Sequence, residues 1–235
     1  MSVESTKKHS LSKRTMQGRI AAIRAHMATS WGEIQNIVKF SEQVLNCLHK
    51  KDSAWRASVA VSLGIAYSFK GDNVSAIRVL LEAVAVGKTT GNKHLYLVAN
   101  FWLIVRLNHH GQLARAIDIC QHLFNVVVEE NLTQTELEGG LFAIWGELLY
   151  ELNELDDALD YVKKGLILVE KGHHVGNRGW AYLCLLKILS AKQDFSGVKE
   201  IIRKIEKLEQ SSDLPSRATH QTEAWKARIW LWSKK

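Results

Sequence analysis

The chain is 235 residues long and 46% hydrophobic, with a net charge of +7, which is enough apolar material to bury a sizeable core. The positive excess sits at the ends, +5 over residues 1–30 and +4 over 201–235 against −2 over 31–200, so no basic stripe tracks phosphates along the chain and direct nucleic-acid contact is not expected. No apolar run approaches a membrane span, the first residues lack a signal-peptide core, and Cys47, Cys120 and Cys184 are odd in number and far apart, so core thiols in a cytoplasmic protein are expected, with no metal site.

Residues 1–12 are polar and basic and are expected to form a disordered tail. From there the 3.6-residue periodicity of apolar positions predicts helices over 13–29, 33–49, 53–69, 73–88, 93–109, 113–129, 134–152, 155–171, 176–192, 195–210 and 217–233. The connections are short, which makes consecutive helices antiparallel neighbours. The single proline, Pro215, stands between two of these helices, outside any interior it would break.

The unit is clearest between Ala54 and Gly91. Val59, Leu63, Ala66 and Tyr67 fall on one helix face, and Lys70-Gly71-Asp72-Asn73 then stops the helix. Gly71 suits a left-handed C-cap, and Asp72 or Asn73 can cap the next helix. Ala76, Val79, Leu80 and Ala83 form the second stripe. Two helices this short cannot bury their faces alone, and the unit recurs. The crossing residue Gly64 aligns with Ala25, Ile104, Gly146 and Leu186, in steps of 39, 40, 42 and 40 residues. Ala76 aligns with Ala116, Ala158 and Val198, and the turns GDNVSA, GQLARA, NELDDA and QDFSGV align with them. This is tetratricopeptide (TPR) grammar with longer helices, a period of about 40 against about 34. The expected fold is all-α: a right-handed helical-hairpin solenoid in one domain over 13–235. Its units lie at about 13–50, 53–91, 93–130, 134–172 and 176–211, followed by a terminal helix over 217–233.

GRIAAIRAHMA at 18–28, AWRASVAVSLGIAYSFKGD at 54–72 and FWLIVRLNHHGQLARAI at 101–117 carry a family resemblance together with GELLYELNELDDAL at 146–159 and EAWKARIWL at 223–231. In this order they resemble the TPR-like (MalT-type) region of the large ATP-dependent LuxR-family transcriptional regulators, over about 18–233. The resemblance implies a sensor or scaffold region set between a nucleotide-binding module and a LuxR-type helix-turn-helix. Neither of those modules is in this sequence, and no ligand residue of the family can be placed on a position here.

Three motifs invite chemistry and resist it. Gly87-Lys88-Thr89 ends like a phosphate-binding loop, but Glu82 stands where its first glycine belongs and the triplet closes a helix instead of opening one. His109-His110 and His173-His174 are adjacent pairs, about 100° apart on a helix, and suit helix ends better than a shared metal. Asp156 and Asp157 open a helix, where acids are expected on electrostatic grounds. No Ser-His-Asp, Cys-His or carboxylate-dyad spacing can be argued from the sequence, and neither catalysis nor a cofactor is expected.

The candidate site is the inner face of the first helices. Inward positions include His26, Val61, Ile65, Phe101, Val105 and Leu183, and the polar and aromatic ones are Asn108, Glu147, Tyr150, Glu151, Trp180 and Lys187. Aromatic walls with a few polar groups suit a groove for an unknown small-molecule effector or a protein partner. An ordinary solvated face with local ion pairs is the alternative. As groove residues, Glu147 and Lys187 are expected to tolerate alanine without loss of stability. All eight tryptophans are expected in the core, Trp180 being held back as a possible stacking platform. In the terminal helix Trp225, Ile229 and Trp232 share one face, an association surface for a homo-oligomer. The expected function is a regulatory scaffold binding its effector on the concave face. A free-standing TPR adaptor for a peptide or protein partner is the alternative.

Overall fold

The turns decide the architecture. At Gly71 the backbone takes φ +77, Gly71 N–H donates to Ser68 O at 3.1 Å and Asp72 N–H to Tyr67 O at 2.9 Å, the two bonds of a Schellman motif. Asp72 then caps the following helix, its carboxylate accepting from Ser75 N–H at 3.0 Å. The same pair of bonds recurs at Asn131, Asn153 and Gln193, non-glycine residues held at φ 54, 62 and 60. Each sharp reversal returns the chain antiparallel to itself.

The computed structural model describes residues 3–49, 51–172, 175–211, 223–224 and 226–228; side chains of 3–12, 30, 175 and 211 are not described. Among the described residues the elements are α1 (Val3–Trp31), α2 (Ile34–Cys47), α3 (Ser53–Phe69), α4 (Asn73–Thr89), α5 (Lys93–His109), α6 (Leu113–Glu129), α7 (Glu136–Glu151), α8 (Leu155–Val169), α9 (Val175–Ala191) and α10 (Phe195–Ser211). The all-α, TPR-like fold expected from the repeats is present, with no strand among the described residues. No helix among them is long and apolar enough to cross a membrane.

The chain divides into two compact units, Met1–Gly111 and Gln112–Lys235. One continuous domain was expected, and the division falls inside the pair expected at 93–130. In a repeat chain each element buries its surface on near neighbours, so each unit holds its own core. In the first, α1 pairs with α2 and α3 with α4, α5 lies on α4, and α3 also touches α1 and α5. Ala21, Ala25, Val44, Val59, Leu63 and Val79 share a cluster there. In the second, α7 pairs with α8 and α9 with α10, α6 lies on α7, and α9 touches α7 and α8. Val162, Leu166, Leu185, Ile188 and Ile205 belong to its core.

The crossing residues sit where expected. A Cβ on Gly64 would stand 2.7 Å from Leu80 Cγ, and one on Gly146 would stand 2.4 Å from Val162 Cγ2 and 2.8 Å from Ala158 O. Gly139 and Gly165 bring α7 and α8 together again, a Cβ on Gly165 falling 2.5 Å from Gly139 O.

Two expectations change. α1 opens at Val3 and takes in most of the segment expected as a disordered tail, because 3–12 holds neither glycine nor proline to break a helix. Trp31 ends α1 with 51% of its surface exposed and is not a core residue. Trp225, Ile229 and Trp232 lie outside the described residues. The described part of that segment ties back to α10 through Lys226, 2.8 Å from Glu206. Hydrogen bonds to Glu206 and Glu223 hold the Lys226 ammonium well above its ordinary range.

Candidate functional site

The second unit brings Glu147 and Lys187 together. Each follows the crossing residue of its own helix, Gly146 in α7 and Leu186 in α9, so the repeat register sets them side by side. Lys187 Nζ donates to Glu147 Oε1. The Glu147 side chain is 3% exposed and that of Lys187 27%. Cys184, one turn before Lys187 on α9, places its thiol 3.9 Å from Glu147 Oε2. Burial works against the charged ammonium of Lys187, yet the negative charge of Glu147 and its hydrogen bond, with Glu151 beyond, outweigh it and hold the group above its ordinary value. Burial, and then the Glu147 charge, push the Cys184 thiol well up.

Around this pair the expected site residues divide. Tyr150 and Trp180 are half-buried and pack on the core of the unit. Glu151 is exposed, one turn beyond Glu147 on α7. Asn108 belongs to the first unit, half-buried in the last turn of α5, where its carbonyl accepts from Gly111 N–H at 3.0 Å. Glu147 is therefore not an open groove residue. It is buried and engaged by Lys187, and substituting either member alters a buried charge-assisted hydrogen bond. That burial makes a loss of stability, not silence, the expected result of alanine at either position.

Further ties fix α9 in place. Asn177 donates from Nδ2 to Glu136 Oε1 at 3.0 Å, and Tyr182 donates its hydroxyl to Glu170 Oε1 at 2.7 Å. Burial, reinforced by Glu170, raises the Tyr182 phenol above its ordinary range. With α9 bonded to α7 and to the end of α8, the Glu147–Lys187 pair is bordered by the exposed Glu151 and the half-buried rings of Tyr150 and Trp180. Such an arrangement can orient a polar ligand or a partner's side chain. It does not present a nucleophile: a thiol whose pKa is raised by burial is protonated at neutral pH, and burial raises Cys120 in the same way.

Sequence reasoning missed Cys184 as a neighbour of Glu147. It also missed the aromatic group of Phe124, Phe142, Trp145 and Tyr161 on α6, α7 and α8, whose adjacent ring centroids are 5.4 to 6.3 Å apart. Phe142 and Trp145 stand at i, i+3, a spacing that marks a shared helix face.

The decoys resolve as local structure. Gly87-Lys88-Thr89 closes α4, where Thr89 Oγ1 donates back to Ala85 O at 2.9 Å. His109 ends α5, and the N–H of His110 bonds Arg106 O at 3.0 Å. His173 and His174 lie outside the described residues. Among the described residues no group of three or more His, Cys, Asp or Glu side chains is placed to hold a metal ion.

Comparisons with known proteins agree with this architecture. The family profile of the MalT-like TPR region matches residues 18–235, and the chain belongs to that family. No curated protein matches the sequence. Among solved structures, the chain is similar to BtubC (BKLC) from P. vanneervenii, at 13% identity and a TM-score of 0.60, over 90% of this chain and 92% of that one. It is also similar to the nearly identical TPR-like repeats of a kinesin light chain from Podosopora anserina, at 13% identity and a TM-score of 0.51, over 86% and 97% of the two chains. A Q17M form of those repeats gives 0.53, over 86% and 98%. At such identity the likeness is one of fold.

Proposed function

With membership of the MalT-like TPR family as the premise, we propose that this chain is the regulatory sensor and scaffold region of a LuxR-type transcriptional regulator. The TPR-like fold is of the kind that serves protein–protein interaction. The finer reading is that an effector or partner settles on the face shared by α7 and α9, contacting Glu151, Tyr150 and Trp180 beside the Glu147–Lys187 pair. The observation that carries it is this buried, charge-assisted pair on two adjacent first helices, bordered by half-buried aromatic rings and an exposed acid. A ligand bridging the two helices would shift the flanking modules between states through its differential affinity for them. Self-association through Trp225, Ile229 and Trp232 belongs to the same proposal.

A thermal-shift screen tests it. A ligand present at about 100 times its dissociation constant adds about 2.7 kcal/mol to stability. Glu151→Ala and Tyr150→Ala should weaken that ligand, and Glu151→Ala should leave the unliganded melting temperature unchanged. Affinity untouched in both variants, or a ligand located elsewhere, overturns the site. The genomic reading frame tests the context: without a nucleotide-binding module before this region and a helix-turn-helix after it, the regulator assignment fails.

A further inference from the structure

α1 buries its small residues and exposes its large ones. Ala21, Ala22, Ala25 and Ala28 are at most 5% exposed. Met16, Ile20, Ile23, Met27 and Trp31 are 63%, 43%, 53%, 43% and 51% exposed. The spacing i, i+4, i+7, i+11, i+15 sets them in a single stripe on the opposite face. Burial of such side chains is the main force available to a helix, and a contiguous exposed stripe of them marks an interaction surface.

The repeat shows what kind of object covers this face. Ile20, Ile23 and Met27 stand five and two residues before and two after the crossing residue Ala25. The same places in α3 are Val59, Ser62 and Ala66, all at most 3% exposed. There the face meets the preceding helix pair: Val59 clusters with Ala21 and Val44, and Ala66 with Ala28 and Ile37. In α9 the corresponding Ala181, Cys184 and Ile188 are at most 2% exposed, and α9 packs on α7 and α8. The face is shaped for the apolar side of a helix.

Charge selects which helix. Residues 13–31 contain no Asp or Glu. On the helical wheel Lys13 and Arg24 border the stripe on one side and Arg19 on the other. Arg19 is half exposed, with Asp52 at 3.9 Å. A second copy of α1 would set like charges against each other. We infer that the outer face of α1, centred on Ile20, Ile23 and Met27, docks an amphipathic helix of a partner polypeptide whose aliphatic stripe is flanked by Asp or Glu. An aliphatic helix that carries exposed acids exists within the chain: α8 turns Ala158, Val162 and Val169 into the core it shares with α7 and α9 while Asp156, Asp157 and Asp160 stay exposed.

The full chain is titrated by fluorescence anisotropy with a labelled helical peptide of about five turns, bearing leucines in one stripe and glutamates on both flanks, and with the same peptide carrying lysines for glutamates. The acidic peptide should bind at least about 10-fold more tightly than the basic one. The double variant Ile23→Glu/Met27→Glu should weaken it by about 10-fold or more with the melting temperature unchanged. Equal binding of both peptides, no binding of either, or binding indifferent to the double variant overturns the inference. So does a dimer that dissociates in the double variant, which assigns the face to a second copy. Sedimentation with phosphatidylglycerol vesicles that is lost in the variant likewise overturns it by assigning the face to a membrane surface.

Discussion

Replacing Gly165 by alanine tests the seam between α8 and α7, the helix that carries Glu147. A Cβ there would lie 2.5 Å from Gly139 O and 3.1 Å from Ala143 N, both backbone atoms, against 3.4 Å for ordinary contact. Neither atom can turn away, so α8 must move off α7 by roughly 0.9 Å at that point. A gap of about 0.5–1 Å forfeits a quarter to a half of the attraction of each contact it opens, and overpacking of this kind costs about 1–3 kcal/mol. Alanine in a helix interior is otherwise better than glycine by roughly 0.5–1 kcal/mol. The two ranges leave a net destabilisation of up to about 2.5 kcal/mol, centred on ~1 kcal/mol. Gly146→Ala should cost less, because its nearest atom is a methyl of Val162 that can rotate and its backbone contact, Ala158 O at 2.8 Å, is longer. Urea unfolding at constant m-value reads both. The sign is decisive: a Gly165→Ala protein more stable than the parent would refute the close approach of the two helices.

Two further predictions concern the buried groups. Cys120 and Cys184 stay protonated in the folded chain above the ordinary thiol value of 9.0, while the unfolded thiols ionise there. The folded state then binds more protons, so this stability is whole below pH 9 and falls as pH rises, by up to ~1.4 kcal/mol per pH unit per thiol. Urea unfolding at pH 8, 9 and 10 should show a shallower fall for Cys120→Ala/Cys184→Ala than for the parent, and parallel curves would contradict the assignment. Lys187→Met removes the Nζ bond to Glu147 and should cost about 1–3 kcal/mol, whereas Glu151→Ala on the exposed side should stay within about 0.5 kcal/mol; a neutral Lys187→Met would show that the pair contributes nothing to the fold.

What was legible in the sequence is what short-range chemistry decides. The helix stop at Gly71, the cap at Asp72 and the left-handed turn at Asn153 involve bonds spanning five residues or fewer, so the local residues specify them wherever the chain goes next. The crossing residues were readable for the same reason: a small or apolar residue at a fixed offset from each turn predicts its own contact. Glu147 and Lys187 were singled out by register, as neighbours one repeat apart. That Glu147 is buried, that Cys184 stands beside it and that Tyr182 reaches Glu170 depended on how α7, α8 and α9 pack, which local periodicity does not encode. Asn108 carried the same sequence pattern as the other site residues yet belongs to another compact unit. The outer face of α1 is the sharpest case. Ile20 and Val59 occupy equivalent places in the repeat, and one is exposed while the other is buried. A residue's position in a helix fixes the direction of its side chain, but only the tertiary structure decides whether another helix lies in that direction.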